Sequence, residues 1–433
     1  MESNHDIVDQ SSPSVPDYIN VEYQIKPPKL TPRIARVQKH FGIGFDEGIR
    51  RVVSNLPTDC LLSDRDTGTL VYIYGDSGCG KSSVLRQIKE MFDAKGFEDD
   101  QLQDKALIDT FEDYGRATYC LSLTGLAEAF LFLRKPSELS DGQLYRYRLA
   151  HLIDSGAKHV VMDEFCANLD RTTAKAISFN LRKVADRFGI NFFVATTHTD
   201  IKSDLQADAS ILLDGRGGFE IEARGQSRSC SLLQNITYRR GRLKDWDYFK
   251  YWHYKEGAEA FVTDVFLAEY KGEPIAYASY GMPAIQCGHR NKIFGPETYQ
   301  RDLKRLNKEV RNLKRVVVAP QFRGIGFAVR FLKWTATQMP YLWLETVDAM
   351  ATVSKFNQKA GWTLIGKTDG ARRKALIAGK KNKGKFYGGK VTENSGAIYE
   401  TWYYLRDNRE NCANLEREIK TGPVMIDDIK EEQ

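Results

Sequence analysis

The chain has 433 residues, 42% of them apolar and 28% charged, which suits two or three packed domains and not a disordered or fibrous protein. It holds no run of 18 apolar residues, and residues 1–16 are polar and contain Pro and Ser, so neither a membrane-spanning helix nor a signal peptide is expected. The formal charge of +6 is uneven: residues 226–433 carry 36 Lys+Arg against 23 Asp+Glu, a net +13, which leaves −7 on residues 1–225. Two domains with different partners are expected, the basic one a candidate for nucleic acid. Seven dispersed cysteines (60, 79, 120, 166, 230, 287 and 412), with no CxxC pair, read as reduced thiols of a cytoplasmic protein and not as a zinc site.

In chain order, residues 1–17 read as a disordered tail, 18–25 as a strand and 31–53 as a helical stretch. An apolar run at 68–74 then ends in Gly75-Asp-Ser-Gly78-Cys-Gly80-Lys81-Ser82-Ser83, with a helix expected after it. This is a GxxxxGK[ST] phosphate-binding loop. Its glycines let backbone N–H groups wrap the phosphates of ATP, Lys81 reaches the outer phosphates and the Ser82 hydroxyl ligates Mg²⁺. Leu139-Ser140-Asp141-Gly142-Gln143 opens an Arg/Tyr-rich helix, a second place where N–H groups meet an anion. Twenty residues later a short apolar run, 160–162, delivers Asp163 and Glu164. Asp163 is expected to hold Mg²⁺ through water and Glu164 to polarise the attacking water. A third apolar run, 191–195, ends in Thr-Thr-His198, and a histidine at the carboxyl end of a parallel strand faces the ligand crevice, within reach of a γ-phosphate. Strands alternating with helices make this half α/β, with a mainly parallel sheet.

The loop at 75–83, the 139–143 segment, Asp163-Glu164, Asp170 and His198 resemble, in order and spacing, the Walker A, signature, Walker B, D-loop and switch-histidine motifs of ABC-type ATPase cassettes. The resemblance covers residues 18–225. It implies a homodimer that sandwiches two ATPs, with Ser140, Gly142 and Gln143 of one copy capping the nucleotide of the other. Asp141 departs from the usual signature residue, and no glutamine stands where the family's Q-loop would be; residues 106–111 occupy that region.

A basic linker, 226–244, leads to Tyr251-Trp252-His253-Tyr254, a hairpin-like pair at 261–270 and 274–280, and the stretch Val318-Ala-Pro-Gln-Phe-Arg323-Gly324-Ile-Gly326-Phe-Ala328 before a helix. That last stretch again clusters N–H donors for an anion. A strand at 341–347, a helix at 351–360 and a strand restarting at Gly361 follow. Residues 245–406 resemble the α+β GNAT acyltransferase fold, in which Val318, Arg323, Gly324, Gly326 and Ala328 match the pyrophosphate loop for acyl-CoA or another acyl donor. Asn357 stands where that family often has an acid tyrosine, and asparagine cannot donate a proton as an acid. Glu345 and Asp348, at a strand end, are candidate bases, with a salt bridge or a cap as the alternative for each. The two halves together resemble ABC-ATPase–GNAT fusions of phages and mobile elements. The His253 stretch resembles that of Mom-type DNA-modification acyltransferases, which implies a base amine in DNA as acceptor; packing of His253 among its aromatic neighbours is the alternative.

Independently, 367–390 holds nine basic residues against Asp369 alone, interleaved with glycines and Phe386-Tyr387, which suits phosphates and base stacking. Residues 407–433 read as a tail. The reading is therefore an ATP-dependent DNA-associated acyltransferase. The alternatives are an acyltransferase on a protein or small-molecule amine regulated by ATP, and a nucleic-acid-binding ATPase with a non-catalytic GNAT-like half.

Overall fold

The computed structural model describes residues 16–45, 48–62, 67–97, 102–223, 229–253, 260–351, 354–369, 400–415 and 424–425. The chain divides into two compact units, each discontinuous in sequence: 1–101 with 155–169 and 181–228, and 102–154 with 170–180 and 229–433. Residues 102–154 and 170–180 thus join the C-terminal half, whereas the motif spacing groups them with the first 225 residues.

In the first unit, β1 (Tyr18–Ile25) and β2 (Gly48–Pro57) form an antiparallel pair. Between them in sequence lies α1 (Pro32–Phe41), capped by Thr31, whose hydroxyl accepts from Ile34 N at 3.3 Å. The helix expected through residue 53 stops at Phe41, because Gly42 takes a left-handed φ of 66° and closes it; 48–53 are strand instead. The main sheet has the order β4 (Lys95–Gly96), β5 (His159–Met162), β6 (Asn191–Thr196), β3 (Leu70–Tyr74), β7 (Ala209–Leu213), β8 (Phe219–Ala223). Its first five strands are parallel and β8 is antiparallel. β3 is buried along its whole length, as its continuous apolar run requires of a central parallel strand. Val84, Leu85 and Ile88 of α2 (Lys81–Met91) pack in the same core cluster as Val71, Ile73 and Phe193 of the sheet. Each such side chain stabilises by roughly 1.5–3 kcal/mol. Arg182, on α5 (Arg171–Phe188), is buried and donates to Asp208 at 2.5 Å, Asp186 at 2.6 Å and Gly68 O at 2.6 Å, while Asp208 accepts from Leu70 N. That network fixes the start of β3, and with it the loop that leaves its far end. A short α6 (Lys202–Leu205) completes the unit.

The second unit has α3 (Tyr114–Leu123), α4 (Asp141–Asp154) and residues 170–180 of α5 as its helical part. Its eight-stranded sheet runs β14 (Thr363–Asp369), β15 (Glu400–Asp407), β13 (Trp343–Asp348), β12 (Val310–Val318), β11 (Glu273–Gly281), β10 (Val262–Tyr270), β9 (Ile236–Arg240), β16 (Val424–Met425). Among the described residues, only β12 and β13 of this sheet are parallel, and they pair over Val310–Leu313 and Trp343–Thr346, although both strands continue further. The helices α7 (Trp246–Phe249), α8 (Gly288–Phe294), α9 (Pro296–Tyr299), α10 (Leu303–Glu309), α11 (Phe327–Thr337), α12 (Phe356–Lys359) and α13 (Arg409–Leu415) surround it. Phe327, Phe331 and Trp334 of α11 share one core with Phe266, Tyr280 and Leu344 of the sheet, and Ala176 and Phe179 of α5 belong to that same core.

Several expectations change here. The linker at 226–244 contains β9, which pairs with β10; the tail at 407–433 contains α13 and β16. The helix expected at 351–360 is one turn, Phe356–Lys359. Of the basic stretch 367–390, residues 370–390 lie outside the described residues, as does Tyr254.

Candidate functional site

Strands β5, β6 and β3 are neighbours, so the three loops leaving their carboxyl ends lie side by side. After β3, Gly75, Gly78 and Gly80 have φ of 148°, 80° and 97°. A Cβ on Gly80 would collide with Val52 Cγ1 on β2, so glycine is required there sterically as well as conformationally. The Lys81 ammonium donates to Gly75 O at 2.9 Å and Asp76 O at 2.8 Å, which folds it over its own loop. Ser82 is exposed and Ser83 half-buried in the first turn of α2.

After β5, Asp163 and Glu164 are both exposed, and Asp163 Oδ1 accepts from Glu164 N at 2.9 Å. Glu164 and Cys166 have φ of 46° and 55°, in the left-handed region that non-glycine residues avoid. Phe165 between them is buried, and its N–H donates to Ala195 O at 2.8 Å, which anchors the turn to β6. After β6, His198 is half-buried; its carbonyl accepts from Tyr72 OH at 2.6 Å, and its N–H donates to Thr196 Oγ1 at 3.2 Å. The glycine loop, a carboxylate pair and a histidine therefore share one sheet edge, at the carboxyl ends of the strands, where ligands bind in open α/β sheets.

The other sequence-derived residues lie in the second unit. Ser140 and Gln143 form a reciprocal cap on α4: Gln143 N donates to Ser140 Oγ at 3.4 Å and Ser140 N to Gln143 Oε1 at 3.1 Å. Asp170 caps α5, its Oδ1 accepting from Thr173 N at 2.9 Å, and Gly142 stands against Thr173. Ser140, Gly142, Gln143 and Asp170 line a cavity of about 560 Å³ together with Lys271 and Arg323.

At the turn after β12, Gly324 and Gly326 both have φ of 83°, and Gly326 opens α11. Val318 ends β12 and Ala328 lies in the first turn of α11. Arg323 does not present its guanidinium outward: it donates to Glu128 Oε2 at 2.5 Å and to Val318 O at 2.9 Å. Arg146 of α4 donates to both Thr124 O and Arg323 O at 3.2 Å, and Asn180 donates to Leu123 O at 2.8 Å.

Glu345 is fully buried, held by both Arg290 contacts at 2.8 Å and by Tyr403 OH at 2.8 Å. Burial and the adjacent Glu345 push the Tyr403 hydroxyl far above its ordinary range. Asp348 Oδ2 accepts from Asn357 Nδ2 at 2.8 Å and its Oδ1 from Met350 N at 2.7 Å. The salt-bridge and cap alternatives are thus the observed partnerships of Glu345 and Asp348. His253 packs edge-on to Trp246, ring centres 5.6 Å apart. Val52, Glu128, Arg146, Asn180 and Lys271 carry no motif and are visible only in three dimensions.

The proteins that this chain is similar to in sequence are ATP-binding proteins of import systems. The chain is similar to the spermidine/putrescine import ATP-binding protein PotA of Aliivibrio fischeri, 23% identical over 215 residues, which are 41% of this chain and 56% of the relative. It is also similar to the sn-glycerol-3-phosphate import ATP-binding protein UgpC of Rhodopseudomonas palustris, 25% identical over 182 residues, 34% of this chain and 50% of the relative. The chain therefore spans about half the length of these curated relatives. Among solved structures, the dimeric MJ0796, a bacterial ABC transporter cassette, aligns with TM-score 0.31 and 22% identity over 42% of this chain and 94% of that one. No protein-family model matches the chain. Among the described residues, no helix is long and apolar enough to cross a membrane.

Proposed function

We propose that the chain is a cytoplasmic ATP hydrolase that works as a homodimer and drives a nucleic-acid-directed second unit. The observation that carries the ATPase reading is the row of loops on β5, β6 and β3 that holds Asp163-Glu164, His198 and the glycine loop. The residues fit ATP and Mg²⁺: the Gly80 backbone has room for no side chain, and Lys81 exchanges two carbonyl partners for phosphate oxygens. Mg²⁺, when bound by Ser82 and Asp163 with phosphate and water oxygens, supplies positive charge to the transferring group. Glu164 orients the water that attacks the γ-phosphorus and accepts its proton. The new O–P bond forms as the bond to the β–γ bridging oxygen breaks and ADP leaves. His198 donates to the γ-phosphate. Ser140, Gly142 and Gln143 act on the nucleotide of a second copy, and Asp170 supports that interface. Purified protein should hydrolyse ATP, and Lys81→Ala should not.

For the second unit we infer a GNAT-like acyltransferase acting on an amine of a DNA base, as in the phage and mobile-element fusions that it resembles. The parting of β12 from β13 beyond Leu313 and Thr346, the Gly324–Gly326 turn opening α11, and the net +13 of residues 226–433 support it. The turn's backbone suits a pyrophosphate of acyl-CoA, but the Arg323 guanidinium is committed to Glu128, Glu345 to Arg290, and Asn357 to Asp348. As placed, these side chains do not offer a free base or acid for acyl transfer. The same three commitments favour a second reading, a nucleic-acid-binding ATPase whose GNAT-like unit binds without catalysis. Mass spectrometry of nucleosides from cells expressing the intact chain, beside Lys81→Ala, separates the two: a new adduct absent from the control supports base acylation, and an unmodified profile supports binding alone.

A further inference from the structure

We propose that the β10–β11 turn, through Lys271, supplies a cation to the γ-phosphate that a second copy presents to Ser140. This rests on the two-copy reading of the ATP site given above. Lys271 and Ser140 line one cavity of about 560 Å³, so an anion seated at the start of α4 shares that cavity with the turn. The segment Ser140-Asp141-Gly142-Gln143 offers N–H groups and a hydroxyl but brings a carboxylate, Asp141, and no cation. The two arginines on the cavity wall are engaged elsewhere: Arg146 on Thr124 O and Arg323 O, and Arg323 on Glu128. A terminal phosphate of ATP carries up to two negative charges; Arg323 is neutralised by Glu128 and Arg146 is turned to carbonyl oxygens, which leaves Lys271 as the exposed ammonium in this lining.

Lys271 is exposed, its ammonium 5.3 Å from the centre of the Tyr270 ring. It occupies the first position of the two-residue turn Lys271-Gly272, with φ of 54° there and 84° at Gly272, and closes the Tyr270–Glu273 pair. Such turns favour Asn or Gly at the first position, so a lysine there trades local fitness for its side chain. The turn and the signature helix belong to one compact unit. The Arg146–Arg323 hydrogen bond joins the helical part to the strand-end loop, and the Asn180–Leu123 bond ties α5 to α3 within the helical part. Lys271 lies on the β10–β11 hairpin of the second sheet, so loss of a γ-phosphate from this cavity would be felt by that sheet.

The test uses the full chain with MgATP. Lys271→Gly relieves the positive φ, so it should melt no lower than the parent, yet it should raise the KM for ATP by about tenfold, the worth of one charge-assisted contact. Lys271→Arg should stay within about threefold of the parent, and the affinity for ADP should not change in either variant. An unchanged KM in Lys271→Gly, together with lost hydrolysis in Ser140→Arg, overturns the role of Lys271 and leaves the two-copy reading standing. Full activity in both variants overturns the two-copy reading, and Lys271 with it.

Discussion

The Arg323 guanidinium meets the Glu128 carboxylate at 2.5 Å across 195 positions of sequence. Both side chains are only about 15% exposed, so each charge needs the other. The pair ties the loop before the signature helix to the turn that opens α11. Together with Ala176 and Phe179 in the core of the second sheet, it makes the signature segment part of the second unit. Glu128→Gln should cost about 2 kcal/mol and lower Tm by about 5 °C, because it leaves Arg323 without its counter-charge. Calorimetry measures this, and an unchanged Tm would mean that the contact carries no energy.

Glu345→Gln distinguishes a base from a structural ion. The carboxylate is buried against Arg290 and Tyr403, so its neutral amide should destabilise by about 3–5 kcal/mol. A general base free for catalysis would show lost activity at unchanged stability.

Gly80→Ala should abolish the thermal shift caused by MgATP. The added methyl would run into Val52 Cγ1, and the φ of 97° disfavours any side chain. Adding Val52→Ala should recover part of the lost folding stability but little of the nucleotide response, since the φ requirement remains.

How much of this was legible in the sequence depends on the range of the interactions. The five buried residues of β3 followed by Gly75–Ser83 announce strand, glycine turn and helix, because chain neighbours dictate all three. The placement of Asp163, Glu164 and His198 just after strands was legible for the same reason: each follows a short apolar run. The end of α1 was readable from Gly42, yet the residues after it alternate too weakly to separate strand from helix. The assignment of α5 was not readable. Its Arg182 serves Asp208 and Gly68 in one unit, whereas Ala176 and Phe179 enter the core of the other, and no local pattern marks the change. Nor could spacing reveal that Glu345 and Asp348 already have partners, since Arg290 and Asn357 reach them through sheet and helix packing.

Acid should weaken the first unit through His159. Burial lowers its pKa below the ordinary 6.5, with the neighbouring Lys158 acting in the same direction. The ring stacks on Phe92 and meets Asn191 at 3.2 Å. The unfolded chain then binds the proton first, so this contribution to stability is complete above pH 6.5 and is lost as pH falls through the lowered folded value. Melting followed from about pH 7.5 to about pH 5 should show a drop that His159→Gln flattens; an unchanged slope in the variant would assign the acid sensitivity to other groups.

The most direct test of the central claim is the mass of Glu164→Gln in solution, by light scattering, with and without saturating MgATP. The variant should keep nucleotide binding but lose hydrolysis, so two copies should remain joined and the mass should double to a dimer with ATP and return to the monomer with ADP. A monomer under saturating MgATP, in protein shown to bind the nucleotide, would contradict the shared ATP site.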